Sequence, residues 1–180
     1  MMPTPQLSDL PPSRGRWVEI DIHEQSLTVW DGREPVRHCR VSTGEAGAGE
    51  HEGSGQTPRG WHYVRAAIGA GEPQAAVFRG RRPTGETYSP ALAARHPRRD
   101  WILGRILWLC GLEKGRNRGG QVDTQRRYIY LHGTPSTEPM GVAASHGCVR
   151  LHLDDLLDLF AQMPSGTPVW LHDSADTSHR

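Results

Sequence analysis

"WVEIDIH", residues 17–23, alternates strictly: Val18, Ile20 and Ile22 fall on one side, Glu19, Asp21 and His23 on the other. A period of two marks a β-strand with one buried face. "LTVW" (27–30) follows, then Asp31-Gly32, a dipeptide suited to the left-handed residues of a tight hairpin. "VRHCRVSTG" (36–44) reads as the returning strand. Further strands are expected at "WHYVRAAI" (61–68), "AAVFR" (75–79), "WILGRILWL" (101–109), "RYIYLHG" (127–133) and "TPVWLH" (167–172). In "RYIYLHG" the alternation puts Tyr128, Tyr130 and His132 on one face. One segment has helical spacing instead. In "LDDLLDLFAQM" (153–163), Leu153, Leu156, Leu157 and Phe160 recur at i, i+3, i+4 and i+7, with acids in the first turn and Pro164 at the end. Many strands and one late helix predict a mainly β protein, a sandwich or barrel with one or two short helices packed on it.

The bulk properties narrow the function classes. A chain of 180 residues is expected to form one domain, and the patterned region sets it at 16–173, between tails at 1–15 and 174–180. Net charge is +1, so no global field draws nucleic acid or a membrane surface. No window approaches the roughly 18 apolar residues of a membrane span. The opening "MMPTPQLSDLPPSRGRW" has neither a basic nor an apolar signal region, so a cytoplasmic protein is expected. Cys39, Cys110 and Cys148 are an odd count without regular spacing, which is no disulfide framework. The stretches 45–56, 80–100 and 113–126 read as loops, the second being a long polar connection. Gly44 to Gly49 has the spacing of a phosphate loop, but Glu50 and His51 stand where Lys and Ser/Thr are needed, so no nucleotide site is assigned.

The chemistry concentrates in "SHGCVR", residues 145–150. A cysteine is nucleophilic as its thiolate and needs a base or a positive field. In extended chain His146 and Cys148 point to the same side, Gly147 lets the backbone turn between them, and His132 ends the nearby strand "YIYLH". Arg150, and the start of the following helix if it points at the thiol, would favour negative charge there. Two other readings stay open on these residues alone: a buried structural thiol, and a zinc site drawing on His132, His146, Cys148 and His152.

These residues also carry a resemblance. "HGT…ASHGCVRL" resembles the signature of the L,D-transpeptidase (YkuD) catalytic domain, "CRVSTGEAG…TPRGWHYV" is similar to its STG and T-P-x-G segments, and "SGTPVWL" to its closing strand. The resemblance implies a β-sandwich acting on peptidoglycan stem peptides without a cofactor. Cys148 would attack the carbonyl of the L-centre of the third stem residue and expel the terminal D-Ala. His132 would be the general base, oriented by the Gly133 carbonyl, while Ser145, His146, Gly147 and Cys148 would shape the oxyanion site. Arg150, Arg59 and Arg127 are the candidates for holding substrate carboxylates, with Arg105 and Arg126 behind them. Trp61, Trp108, Tyr128 and Tyr130 read as core or sheet pairs. Short members lacking a signal peptide resemble recycling enzymes, so the expected role is a cytoplasmic L,D-carboxypeptidase trimming tetrapeptides of muropeptides. Cross-linking by an L,D-transpeptidase is the alternative, and a non-catalytic muropeptide binder a remote one. Acylation by a carbapenem is expected to report the nucleophile.

Overall fold

In the computed structural model, which describes residues 2–176, the described strands join one curled sheet. β1 (Arg16–Asp21) lies between β2 (Ser26–Asp31), antiparallel, and β10 (Pro168–His172), parallel. β3 (Glu34–Arg40) extends this half beyond β2. On the other side β10 pairs with β4 (Gly60–Ile68), and β4 with the long β7 (Ile102–Gly111). The sheet forks at β7. Its first residues take the hairpin β5 (Ala76–Arg79)–β6 (Arg82–Thr87) on one edge, and its opposite edge carries β8 (Tyr130–Thr134). β9 (Val149–His152) runs parallel to β8 and leads directly into α2 (Leu153–Phe160); α1 (Pro90–Arg95) precedes β7.

The curl gives the apolar face of each strand a partner. Val18, Ile20, Leu27, Val29, Val169 and Leu171 of one half share a single core with Leu107, Leu109, Leu131, Val149 and Leu151 of the other, and Leu156 and Leu159 of α2 cap it. Each such side chain contributes roughly 1.5–3 kcal/mol on burial. The two halves also meet through backbone. Ser42, just past β3, exchanges hydrogen bonds with Arg150 of β9 (2.9 and 2.8 Å). On the outer face, Trp17 stands opposite Trp30 and Trp61 opposite Trp170, each pair stacked at 5.6 and 5.8 Å respectively, so Trp61 is the cross-strand pair its pattern indicates.

Two segments differ from their sequence reading. Residues 80–100 are not a plain connection: they hold β6 and α1. Pro83 and an exposed face disguise β6, which is tolerated because it is an edge strand. α1 announces itself by Ser89, whose hydroxyl accepts the Leu92 N–H (3.1 Å), and by Pro90 at its first turn. Tyr128 is not on the face of Tyr130 and His132, because its φ of 57° breaks the strand before it starts. Residues 2–15 lie along the body: the Met2 N–H reaches Ser165 O (3.0 Å), and the Gly32 N–H reaches Gly15 O (2.9 Å). At the other end the Ser174 N–H meets Asp21 (3.2 Å), and 177–180 lie outside the described residues.

β4 carries a fully buried histidine whose protonation opposes folding. His62 Nδ1 donates to Gly60 O (3.0 Å), and Nε2 accepts from the Thr124 hydroxyl (2.9 Å), which is the neutral ring. Burial pushes its pKa down from 6.5 to about 4. The unfolded chain therefore binds the proton first. The stabilisation is complete above pH 6.5 and is lost as pH falls towards 4, in total roughly 3 kcal/mol. Urea unfolding at pH 7 and pH 4.5 should show that extra loss in the natural chain and not in H62Q; equal losses in both would remove His62 from the pH dependence.

Candidate active site

The parallel pairing of β8 and β9 assembles the site. His132 stands opposite Arg150, and Cys148 lies in the bend immediately before β9. The backbone of the chain entering β8 holds the sulfur: the Tyr130 N–H donates to Sγ (3.3 Å), and the thiol donates to Tyr128 O (3.3 Å). Cys148 is half-buried and packs against the apolar cluster of Ala76, Phe78, Ile106 and Tyr130, away from the main core.

His132 is buried, and its Nδ1 lies 2.8 Å from Gly133 O. A carbonyl only accepts, so Nδ1 carries the proton and Nε2 keeps its lone pair. Burial holds the ring's pKa below the usual histidine range, against a smaller opposing effect of that carbonyl. Burial also pushes the Cys148 thiol up to about 11, outweighing the Tyr130 N–H. The resting pair is thus neutral thiol and neutral imidazole. Alkylation of Cys148 by iodoacetamide should rise about tenfold per pH unit through pH 9 without levelling off. A plateau near pH 7 would instead reveal a preformed thiolate–imidazolium pair.

The loop before Cys148 is held by short-range and long-range ties. The Ser145 hydroxyl donates to Cys148 O (2.6 Å) and accepts the Gly147 N–H (3.2 Å). The Gly147 N–H, expected at the oxyanion site, is therefore engaged by Ser145 in this state. Gly147 has φ 127°, and a side chain there would press on Gln56 O. The Thr57 hydroxyl donates to Gly147 O (2.9 Å) and accepts the Gly44 N–H (2.8 Å). The STG, T-P-x-G and S-H-G-C segments are thus one hydrogen-bonded unit. Gly133 is small because β7 and α2 close over it: a Cβ would lie 2.6 Å from Leu103 O and 2.9 Å from Leu153.

The arginines divide. Arg150 is buried beside the site; it donates to Asp100 (2.9 Å) and to Ala144 O (3.2 Å). Asp100 also approaches the exposed His146 ring (3.7 Å), joining the two. Sequence reasoning missed Asp100, which lies in an aperiodic stretch; only its distance from any surface pattern marks it. Arg127 instead clamps the loop 49–56 through Gly49 O, Glu50 O and Gln56 O. Arg59 pairs with Glu50 and Asp176. Arg105 donates to Pro73 O, Gly104 O and Glu72 O. α2 starts at the far end of β9, roughly 13 Å along the strand from Cys148, so its N–H groups do not reach Sγ. His152 sits at that helix start without a capping bond. Among the described residues, no three His, Cys, Asp or Glu side chains gather as metal ligands. No helix among them is long and apolar enough to cross a membrane.

Two hollows flank the His146–Asp100 pair. One, about 280 Å³, lies between Glu45, Gly55 and His146. The other, about 470 Å³, lies between Phe78, Glu86, Arg99 and Asp100.

Comparison with known proteins agrees with this geometry. The family described as the L,D-transpeptidase (YkuD) catalytic domain matches residues 15–171. "Putative L,D-transpeptidase YqjB" of Bacillus subtilis is 40% identical over 50 residues, 28% of this chain and 28% of that protein. The crystal structure of an L,D-transpeptidase (residues 123–326) from Xylanimonas cellulosilytica shares 25% identity and a TM-score of 0.53, over 96% of this chain and 65% of that one. An L,D-transpeptidase solved in complex with imipenem shares the fold at 18% identity and a TM-score of 0.52, over 88% and 59% of the two chains. The chain thus spans less than two thirds of the length of each of these relatives.

Proposed function

The chain belongs to the L,D-transpeptidase catalytic-domain family, and on that premise we propose that it is a cysteine acyl-transfer enzyme trimming peptidoglycan tetrapeptides with water. The observation that carries the reading is a buried His132, its Nδ1 fixed on Gly133 O, on the strand whose Tyr130 N–H, two residues earlier, holds the Cys148 sulfur. Nε2 takes the thiol proton as Sγ attacks the carbonyl carbon of the L-centre. The Tyr130 N–H steadies the developing thiolate. The oxyanion is received by backbone N–H groups of Cys148 and Gly147, the latter exchanging Ser145 for it. Collapse breaks the peptide bond, and the D-Ala amine leaves with the proton from His132. Water then attacks the thioester, gives its proton to His132, and releases the tripeptide acid and the thiol.

Water as acceptor draws support from the β5–β6 hairpin, whose Arg81 rests on the Tyr128 ring and donates to the Tyr130 hydroxyl, beside the backbone that holds the thiol. A cytoplasmic recycling role belongs to the same proposal, as does acylation of Cys148 by a carbapenem. The second reading is amine-dependent transpeptidation, for which the hollows bordered by His146 and by Asp100 leave room for a further peptide. Mass spectrometry of a disaccharide-tetrapeptide with and without D-Met separates them. The tripeptide alone, lost in C148A, supports the carboxypeptidase. A D-Met-bearing product supports the transferase, and an unchanged substrate removes both.

A further inference from the structure

The tip of the β5–β6 hairpin is Arg79-Gly80-Arg81-Arg82, with φ 56° at Gly80 and 66° at Arg81. Both central residues are left-handed because a two-residue hairpin turn requires it, and this geometry fixes where the Arg81 side chain leaves the tip. Its guanidinium lies 4.4 Å from the Tyr128 ring centre and 5.1 Å from that of Trp108, and Nη1 donates to the Tyr130 hydroxyl (2.9 Å). These rings belong to the wall that holds the nucleophile: Tyr128 supplies the carbonyl and Tyr130 the N–H that meet Sγ, and Trp108 packs against the same apolar cluster as Cys148. Tyr128 is itself left-handed, so two of the three non-glycine positive-φ residues among the described residues meet here.

The charge of Arg81 is uncommitted. Arg150, Arg59, Arg99 and Arg37 each pair with a carboxylate. Among the described residues no carboxylate forms an ion pair with Arg81, and of its five N–H donors one meets a phenol oxygen. A cation resting on aromatic faces keeps its outward fork for a planar anion.

We propose that Arg81 is the specificity-determining residue of the cleft, receiving the free carboxylate one residue beyond the carbonyl that Cys148 attacks. This rests on the acyl-transfer reading: the departing residue's carboxylate lies about one chain residue, ~3.8 Å, past the scissile bond. Arg81 therefore distinguishes a chain end from the interior of a peptide.

Two assays test this, one of which needs no turnover. Alkylation of Cys148 at pH 9 is followed by peptide mass spectrometry with anionic iodoacetate and neutral iodoacetamide. The iodoacetate-to-iodoacetamide rate ratio should fall about tenfold in R81Q and largely recover in R81K, as expected for a charge-assisted contact. In the second assay the ratio of kcat/KM for a tetrapeptide acid over its C-terminal amide should fall ~30-fold or more in R81Q. Unchanged ratios in folded R81Q overturn the proposal while leaving the peptide reading standing. A parallel fall with both reagents marks a merely structural hairpin and also overturns it. If the alkylation ratio falls but neither peptide is cleaved by the natural chain, Arg81 is an anion receptor and the peptide reading fails.

Discussion

H132N should lose at least about 10³-fold in kcat while remaining folded. Asparagine can place an N–H near the position of Nδ1 and so keep the bond to Gly133 O, now 2.8 Å long in the natural chain. What it cannot supply is the Nε2 lone pair. The resting thiol has a pKa of about 11, so at neutral pH the thiolate is scarce unless a base removes the proton as the bond forms. Single-turnover acylation by a peptide or a carbapenem should therefore slow with kcat. Raising the pH should recover part of the loss, because hydroxide then makes the thiolate that His132 no longer makes. A variant that turned over normally at pH 7 would show that Cys148 is activated by something other than His132.

G133A should act on both stability and rate. The new methyl would lie 2.6 Å from Leu103 O, a backbone atom fixed in β7, and 2.9 Å from Leu153 of α2. Overpacking of this kind costs about 1–3 kcal/mol, and a chain of this size should lose roughly 3–10 °C in Tm. The strand can relieve the clash by moving the residue whose carbonyl orients His132. Activity at temperatures well below Tm should therefore fall further than the unfolded fraction explains. A Tm unchanged within 1–2 °C, or a loss of activity that tracks unfolding alone, would show that the Gly133 position is not as closed as its neighbours indicate.

Local pattern carries much of this site. The alternation that ends in His132 survives into β8 for Tyr130 and His132, because period two is imposed by the backbone itself. The S-H-G-C segment is not extended: it bends just before β9 around Gly147, whose φ is 127°, and it is the Tyr130 N–H that brings Cys148 to β8. The fates of the arginines were hidden, since a guanidinium is a general donor and tertiary neighbours choose its acceptor. Arg127 and Arg59 went to the loop around Glu50, and Arg150 to Asp100. Asp100 and Arg81 were invisible for another reason. They come from residues 80–100, where an edge strand with a proline and a turn carrying a left-handed arginine show no periodicity. Gly133 could be read as part of a motif, but the need for a missing side chain exists only where β7 and α2 converge.

The backbone tie between Ser42 and Arg150 bears on how the molecule comes to be competent. It joins stretches far apart in the chain, and such contacts are the slow ones to close. The nucleophile's loop depends on that seam and on Thr57 beside it. Catalytic competence should therefore be the last property to mature after refolding, trailing the quenching of tryptophan fluorescence. A chain halted before the seam closes would be compact and inert, its loop at Cys148 still unformed.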